Sequence, residues 1–361
     1  MHILYLISYA GRAGTEKYVE DLMRLFAAQG HRCSLAYSVP GPLSEKAAAS
    51  GFGTFRLDMA PRRILAAGRE LAAYCRRHRV DVIHAQYPRE NAAALLWRLF
   101  RPRTAVVFTV HLSLRQGPRW RLLNRLLTPF DRAVIALYGD GAALLRRNGV
   151  CAGRIRVIPN GLKTLPLPPR QNVLREEYSL PEDCFVFLSL CRFAPEKGLD
   201  CLLDALDRLR SLTDRPFCCA VAGEGELFEE VRSRAEALGL TGQVRLLGYR
   251  ADTRSLLRSA DAYVSSALRG EAMSFSILEA MSCGLPLAVT DVGAGRELAA
   301  GCGLVSAPGD AAQLAENLRR LIEDDGLRAA FAGESRRRAA EEYDLRLQAK
   351  KLAALYDPEV K

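Results

Sequence analysis

Apolar positions along the chain fall into two alternating kinds of run. Short blocks such as "HILYLIS", "RCSLAYS", "VDVIHAQ", "TAVVFTV" and "DRAVIAL" are nearly continuous in apolar residues, which predicts strands covered on both faces. Between them, stretches such as 16–29 and 69–79 space their apolar residues at helical intervals and predict helices. Alternation of this kind specifies a parallel sheet with helices on either side. The pattern breaks after "RIRVIPNGL", where "KTLPLPPR" (163–170) puts three prolines into a stretch that neither a helix nor a central strand accepts. It restarts with "CFVFLSLCR", "FCCAVAGEG", "QVRLLGY", "DAYVSSA", "PLAVTDV" and "GCGLVSA". The predicted architecture is therefore α/β, with two doubly wound, Rossmann-like domains at 1–164 and 171–340 joined by a Pro-rich linker at 165–170. A last long helical stretch, 336–356, ends the chain, and the pattern does not decide whether the segment 341–361 stays on the second domain or crosses back to the first. Ligands of such sheets bind beyond the carboxyl ends of the strands, so the cleft between the domains is the expected site.

Composition narrows this picture without redirecting it. With 361 residues, 49% hydrophobic and 25% charged, the chain is long enough for two packed domains and too apolar for disorder. "MHILYLISYAGRAG" has no basic segment ahead of its apolar run and turns at once into glycine, so it reads as strand and loop, not as a signal peptide. No run of about 18 uncharged apolar residues occurs, and none of the ten cysteines falls in a Cys-x-x-Cys pair. A cytoplasmic protein with buried free thiols is expected. Charge adds more. Residues 1–168 hold 26 Lys+Arg against 10 Asp+Glu, a balance of +16, whereas residues 169–361 balance to −6. The first half therefore faces an anionic partner (membrane surface, phosphorylated acceptor or nucleic acid), or else carries solvated arginines on its helices. No aromatic-and-basic platform or recognition-helix pattern accompanies the charge, which sets nucleic acid aside.

Candidate chemistry lies in the loops that follow strands. In "YAGRAGTEKYV", Gly11 and Gly14 flank a turn and Thr15 stands where a helix begins; glycine lets a phosphate approach the free amides of such a turn. "VAGEGEL" (221–227) is a second Gly-x-Gly at a strand end. Position 31, about 20 residues past Gly11, is His and not the acid of a dinucleotide fingerprint. In "CRFAPEKGLD", Arg192 and Lys197 closely follow a strand, placed to bind a pyrophosphate, Arg by paired hydrogen bonds and Lys as a point charge. From position 269, "RGEAMSFSILEAMSCGLPLAVTDVGAGRE" sets Glu271 and Glu279 eight positions apart. Ser274 is the predicted N-cap of a short helix running to about Cys283, with Gly284 and Pro286 beyond it.

The stretches "AGTEKYV", "FTVHLS", "VIPNGL", "RFAPEKGLD", "AGEGEL", "LLGY" and the Glu-x7-Glu segment resemble, in kind and in order, those of the retaining GT-B glycosyltransferases of family four, the glycosyl transferases group 1 type. The resemblance runs through nearly the whole chain. It implies a nucleotide-diphosphate sugar as donor substrate, with no cofactor and no metal. Position by position, it gives Arg192 and Lys197 the diphosphate, Glu279 the ribose hydroxyls, and Glu271 and His111 places beside the transferred sugar. It adds Gly14, Gly223, Glu224, Tyr249, Ser274, Phe275 and Ser276 to the donor-binding set. The Glu pair then grips the donor, unlike the two carboxylates of a glycosidase, which act as acid and as base or nucleophile. Charge growing on the leaving diphosphate is met by fixed cations and a helix dipole, each preorganised donor being worth about 3 kcal/mol. Four positions depart from the family pattern: Ala13, Cys191 and Ala272 stand where glycine is usual, and Lys163 where Asp is common.

On the acceptor side, "LRQGPRWRLLNRLLTPF" (114–130) places Trp120, Leu123, Leu127 and Phe130 at helical spacing with Arg119, Arg121 and Arg125 near the border. That pattern predicts reversible association with an anionic membrane surface, as a lipid-linked acceptor requires; the same stripe equally suits a helix packed on its own domain. The combined expectation is a metal-independent, retaining hexosyltransferase, cytoplasmic or peripheral at the inner face of the membrane. It would move a hexose-type sugar to a saccharide or lipid-linked acceptor in cell-surface polysaccharide or glycolipid synthesis. The alternatives are a nucleotide-sugar epimerase and a non-catalytic nucleotide-sugar-binding subunit.

Overall fold

The computed structural model describes residues 1–98, 104–167 and 169–357. Pro168 of the predicted linker and positions 358–361 of the predicted last helix lie outside the described residues. The chain forms two compact units, one made of Met1–Lys163 together with the chain from Leu345, the other of Thr164–Asp344.

The strands of the first unit are β1 (His2–Tyr9), β2 (Arg32–Val39), β3 (Gly53–Arg56), β4 (Val82–Ala85), β5 (Ala105–Thr109), the two-residue β6 (Leu112–Ser113), β7 (Ala133–Ala136) and β8 (Ile155–Val157). A seven-stranded sheet runs in the order β3-β2-β1-β4-β5-β7-β8, with its strands paired in parallel. Residues Ile3 to Ile7 of β1 are fully buried, as a central strand covered on both faces requires. Helix Gly14–Ala28 buries Tyr18, Val19, Leu22, Met23 and Phe26 along one stripe. The order reverses between β1 and β4, a switch point that leaves a crevice at the carboxyl ends of these strands.

Strands β9 (Phe185–Leu190), β10 (Phe217–Ala222), β11 (Val244–Gly248), β12 (Ala262–Ser265), the two-residue β13 (Gly270–Glu271), β14 (Leu287–Thr290) and β15 (Gly303–Ser306) belong to the second unit. Its six-stranded parallel sheet has the order β11-β10-β9-β12-β14-β15. Every residue of β9 and β10 is buried. The order reverses between β9 and β12, so the second crevice lies where β9 ends.

The predicted single helix over 336–356 is two helices, Asp325–Glu341 and Leu345–Tyr356. The break follows from a buried arginine. Arg338, 7% exposed, donates to the carbonyl oxygens of Glu297 (3.1 Å), Leu298 (3.0 Å) and Ala300 (2.8 Å) and to Tyr343 Oη (2.9 Å). It thereby holds the end of its helix on the carboxyl end of helix Gly295–Ala299, where a cation is favoured, and turns Tyr343 inward. Helix Leu345–Tyr356 packs on Gly14–Ala28 in the first unit. Leu345 N donates to Leu162 O at 2.8 Å, and Tyr356 Oη stands 2.6 Å from Nδ1 of the fully buried His84.

In helix Pro118–Leu127 the expected stripe is shifted. Leu127 is half-buried, while Leu122 and Leu126 join Trp120, Leu123 and Phe130 among the exposed residues. All ten cysteines are free thiols. No helix among the described residues is long and apolar enough to cross a membrane.

Candidate functional site

At the carboxyl end of the second sheet, two loops are laid on one another. Cys191 N donates to Ala222 O (3.1 Å), Phe193 N to Glu224 O (3.0 Å) and Leu227 N to Phe193 O (3.1 Å). This contact requires the Gly-x-Gly turn after β10. Gly223 and Gly225 have φ of +151° and +157°, and a Cβ on them would stand 1.8 Å from Cys191 O and 2.3 Å from Phe193 O. The turn therefore fixes the course of the loop that carries Arg192 and Lys197.

Each cation of that loop faces a carboxylate. Arg192, largely exposed, pairs with Glu196. Lys197 Nζ donates to Glu271 Oε1 at 2.6 Å, both side chains about one fifth exposed. The ammonium is thus held at one place in a partly desolvated setting, where Coulomb interactions exceed those in bulk water. Ser266 Oγ donates to Lys197 O at 2.9 Å and Leu268 N to Glu196 O at 2.8 Å, so the segment leading to Glu271 also grips this loop.

Helix Phe275–Ser282 begins beside them, with Ser274 at its N-cap in extended conformation and no side-chain bond capping it. Ser274 Oγ instead lies 3.0 Å from Ser276 Oγ. First-turn N–H groups are therefore left to an external acceptor, and the dipole favours an anion there. Tyr263 fastens this end: its Oη lies 2.8 Å from Ser276 Oγ and 3.2 Å from Leu190 O. Burial raises the Tyr263 pKa, so the group stays a neutral phenol. Glu279, half-buried, follows one turn along the helix, which ends at Gly284 with φ +73°.

Of the predicted positions, Arg192, Lys197, Gly223, Glu224, Glu271, Ser274, Phe275, Ser276 and Glu279 gather on these loops and this helix. Tyr249 is 56% exposed directly after the edge strand β11. Two departures from the family pattern are absorbed by packing. The Cys191 side chain lies against the apolar core, its thiol pushed up to about 11 by burial. Ala272 is buried and accepts from Ala294 N at 2.7 Å. Gly293 permits that contact, since a Cβ there would stand 2.3 Å from Glu271 O.

Gly14 and His111 belong to the first unit, at the carboxyl ends of β1 and β5. Gly14 opens helix Gly14–Ala28 after the uncapped Ala13. The His111 ring meets Tyr18 edge-on at 5.1 Å. Its Nε2 donates to Gln86 Oε1 at 2.8 Å, and Gln86 Nε2 donates to His84 O at 3.1 Å. A carbonyl accepts only from the amide nitrogen, so the fully buried Gln86 presents its oxygen to His111 and fixes the proton on Nε2. Burial lowers the His111 pKa, which keeps the ring neutral, with Nδ1 the acceptor. Nearby, burial raises the pKa of Glu16 and of Glu90, whose Oε1 accepts from Ser8 Oγ. Sequence reasoning missed Gln86, Tyr263 and Gly293. The place of Gln86 directly after "VIHA" was the one available signal.

The family profile described as "Glycosyl transferases group 1" matches residues 170–338, and that described as "Glycosyltransferase Family 4" matches residues 12–164. A phosphatidyl-myo-inositol mannosyltransferase of Mycobacterium leprae is 28% identical over 284 residues, 77% of this chain and 73% of that protein. The lipopolysaccharide core biosynthesis mannosyltransferase LpsB of Rhizobium meliloti is 28% identical over 76% of this chain and 79% of its own length. Among solved structures, Anabaena HepE in complex with UDP shares the fold with a TM-score of 0.85 at 22% identity, over 98% of both chains. With two Rossmann-like units in the GT-B manner and both profiles matched in succession, the chain belongs to the group 1, family four glycosyltransferases.

Proposed function

We propose that the protein is a retaining glycosyltransferase that takes a hexose-type sugar from a nucleotide-diphosphate donor to a saccharide or lipid-linked acceptor in cell-surface polysaccharide or glycolipid synthesis, without a divalent metal. The observation that carries this reading is the convergence of Arg192, Lys197 and the uncapped start of helix Phe275–Ser282 at one sheet end. Such a set neutralises a diphosphate both when bound and as it leaves, the second being the catalytic contribution. Glu279 takes the ribose hydroxyls. Glu271 holds Lys197 in place and is assigned to the sugar by the family resemblance, as is His111, whose neutral ring offers Nδ1 as an acceptor. The mannosyltransferase relatives act, by name, on a phosphatidylinositol and in lipopolysaccharide core synthesis, which supports the acceptor class; HepE binds UDP, which supports the donor class.

A second reading, a nucleotide-sugar-binding subunit without transfer, is favoured by the carboxylate already standing against each cation. One experiment separates the two. UDP, GDP, ADP and their sugar conjugates are screened by thermal shift on wild type and Lys197→Ala, and the stabilising donor is then offered radiolabelled to a lipid-linked acceptor panel. At a hundredfold excess over Kd the transition should rise by roughly 5 °C or more, and lose most of that in the variant. Transfer with retained anomeric configuration in EDTA supports the first reading; binding with no product supports the second; no shift with any nucleotide removes both.

A further inference from the structure

Helix Pro118–Leu127 is attached to its unit the wrong way round for a core helix. Its one buried residue is Asn124, whose Nδ2 lies 2.8 Å from Asn148 O and 2.6 Å from Gln116 Oε1. Asn148 in turn donates to Leu114 O at 3.0 Å and accepts from Gln116 N at 3.1 Å. A polar knot thus fastens the inner side. At about 100° per residue, Leu122 and Leu126 both lie about 200° round the helix from Asn124, and they are 60% and 59% exposed. Leu112, Leu114, Trp120, Leu123 and Phe130, on and flanking the helix, are exposed as well. Arg115, Arg119, Arg121 and Arg125 are exposed around it, and none pairs with a carboxylate among the described residues.

Large apolar side chains exposed together on and around one helix mark an interaction site. Leucines flanked by unpaired arginines match one environment in particular, hydrocarbon beneath a layer of anionic headgroups. We propose that this helix is a docking element for a bilayer surface containing anionic phospholipid, the leucines entering the interface and the four arginines lying among the phosphates. The charge balance of +16 over residues 1–168 adds long-range attraction of the same sign.

The test uses the full chain with vesicles of phosphatidylcholine alone or mixed with phosphatidylglycerol, read by co-sedimentation at low salt without donor or acceptor, so that it stands apart from activity. Wild type should bind the mixed vesicles and leave the neutral ones. Leu122→Ser/Leu126→Ser, which alters only exposed positions and should keep the wild-type Tm, should weaken binding about twentyfold. Three results overturn the proposal: no binding of wild type to mixed vesicles, equal binding by the double variant, or a wild-type dimer in solution that the double variant abolishes, which would make the patch a contact with a second copy.

Discussion

Replacing Gly223 by alanine tests the stacking of one loop on another from which the second unit's site is built. The native φ of +151° is one that residues with a side chain rarely adopt, and the new methyl would stand 1.8 Å from Cys191 O, where contacts under 3.0 Å are essentially never found. The two loops must part by more than about 1 Å. Backbone strain and overpacking each cost about 1–3 kcal/mol, for a combined loss of roughly 2–6 kcal/mol. In a unit of this size that lowers Tm by roughly 5–20 °C. Any displacement that survives relaxation is passed to Arg192 and Lys197, and a misplacement of about 1 Å costs roughly a hundredfold in rate. Calorimetry gives the first effect, and titration with the stabilising nucleotide followed by turnover gives the second. Gly225→Ala, with a Cβ 2.3 Å from Phe193 O, should behave alike, whereas Gly242→Ala, with open space around it, should change neither. If Gly223→Ala melts within about 1 °C of wild type and binds nucleotide equally well, the turn does not set the course of the loop and the reasoning fails.

Two further outcomes follow from the first unit. Tyr356→Phe leaves Nδ1 of the fully buried His84 without its partner at 2.6 Å, and should cost about 1–3 kcal/mol by denaturant unfolding; an unchanged midpoint would show that this hydrogen bond does not help hold the last helix. Asp131 is fully buried, accepts from Asn91 Nδ2 at 3.0 Å, and is pushed up to about 8 by burial. Since its folded pKa lies above the unfolded value of 3.8, the stability linked to it is complete below about pH 4 and lost as pH rises through about 8. Asp131→Asn should flatten that decline when Tm is followed from pH 4 to 9, and parallel curves for the two proteins would refute it.

Strands such as "HILYLIS" and "CFVFLSLCR" were legible because a fully buried parallel strand leaves no polar gap in its sequence. β3 was not, because "GTFR" is a half-buried edge strand with no apolar run. The break at 342–344 carries no Gly or Pro; it is imposed by Arg338 reaching carbonyls some 40 positions earlier in the chain, a contact that no local pattern contains. Spacing placed an apolar stripe on helix Pro118–Leu127 and left open whether it faces outward or packs on its own domain; the inner side is polar, held by Asn124 and Asn148. Within the site, the loops bearing Arg192, Lys197 and Gly223 stood out by glycine and charge. Gln86 and Tyr263 did not, because their roles come from partners brought close only by the crossing order of the strands.

The return of Leu345–Tyr356 to the first unit also bears on how the protein is made. Emerging from a ribosome, residues 1–163 lack the helix that covers Phe26 and answers His84. Roughly 200 further residues must be synthesised before it arrives, which at 5–20 residues per second takes about 10–40 s. During that interval the second unit, whose segments are contiguous, has everything it needs to fold. The unit translated first is therefore the one completed last, and a chain truncated before Leu345 leaves the nascent first unit, not the second, as the substrate for chaperones and proteases.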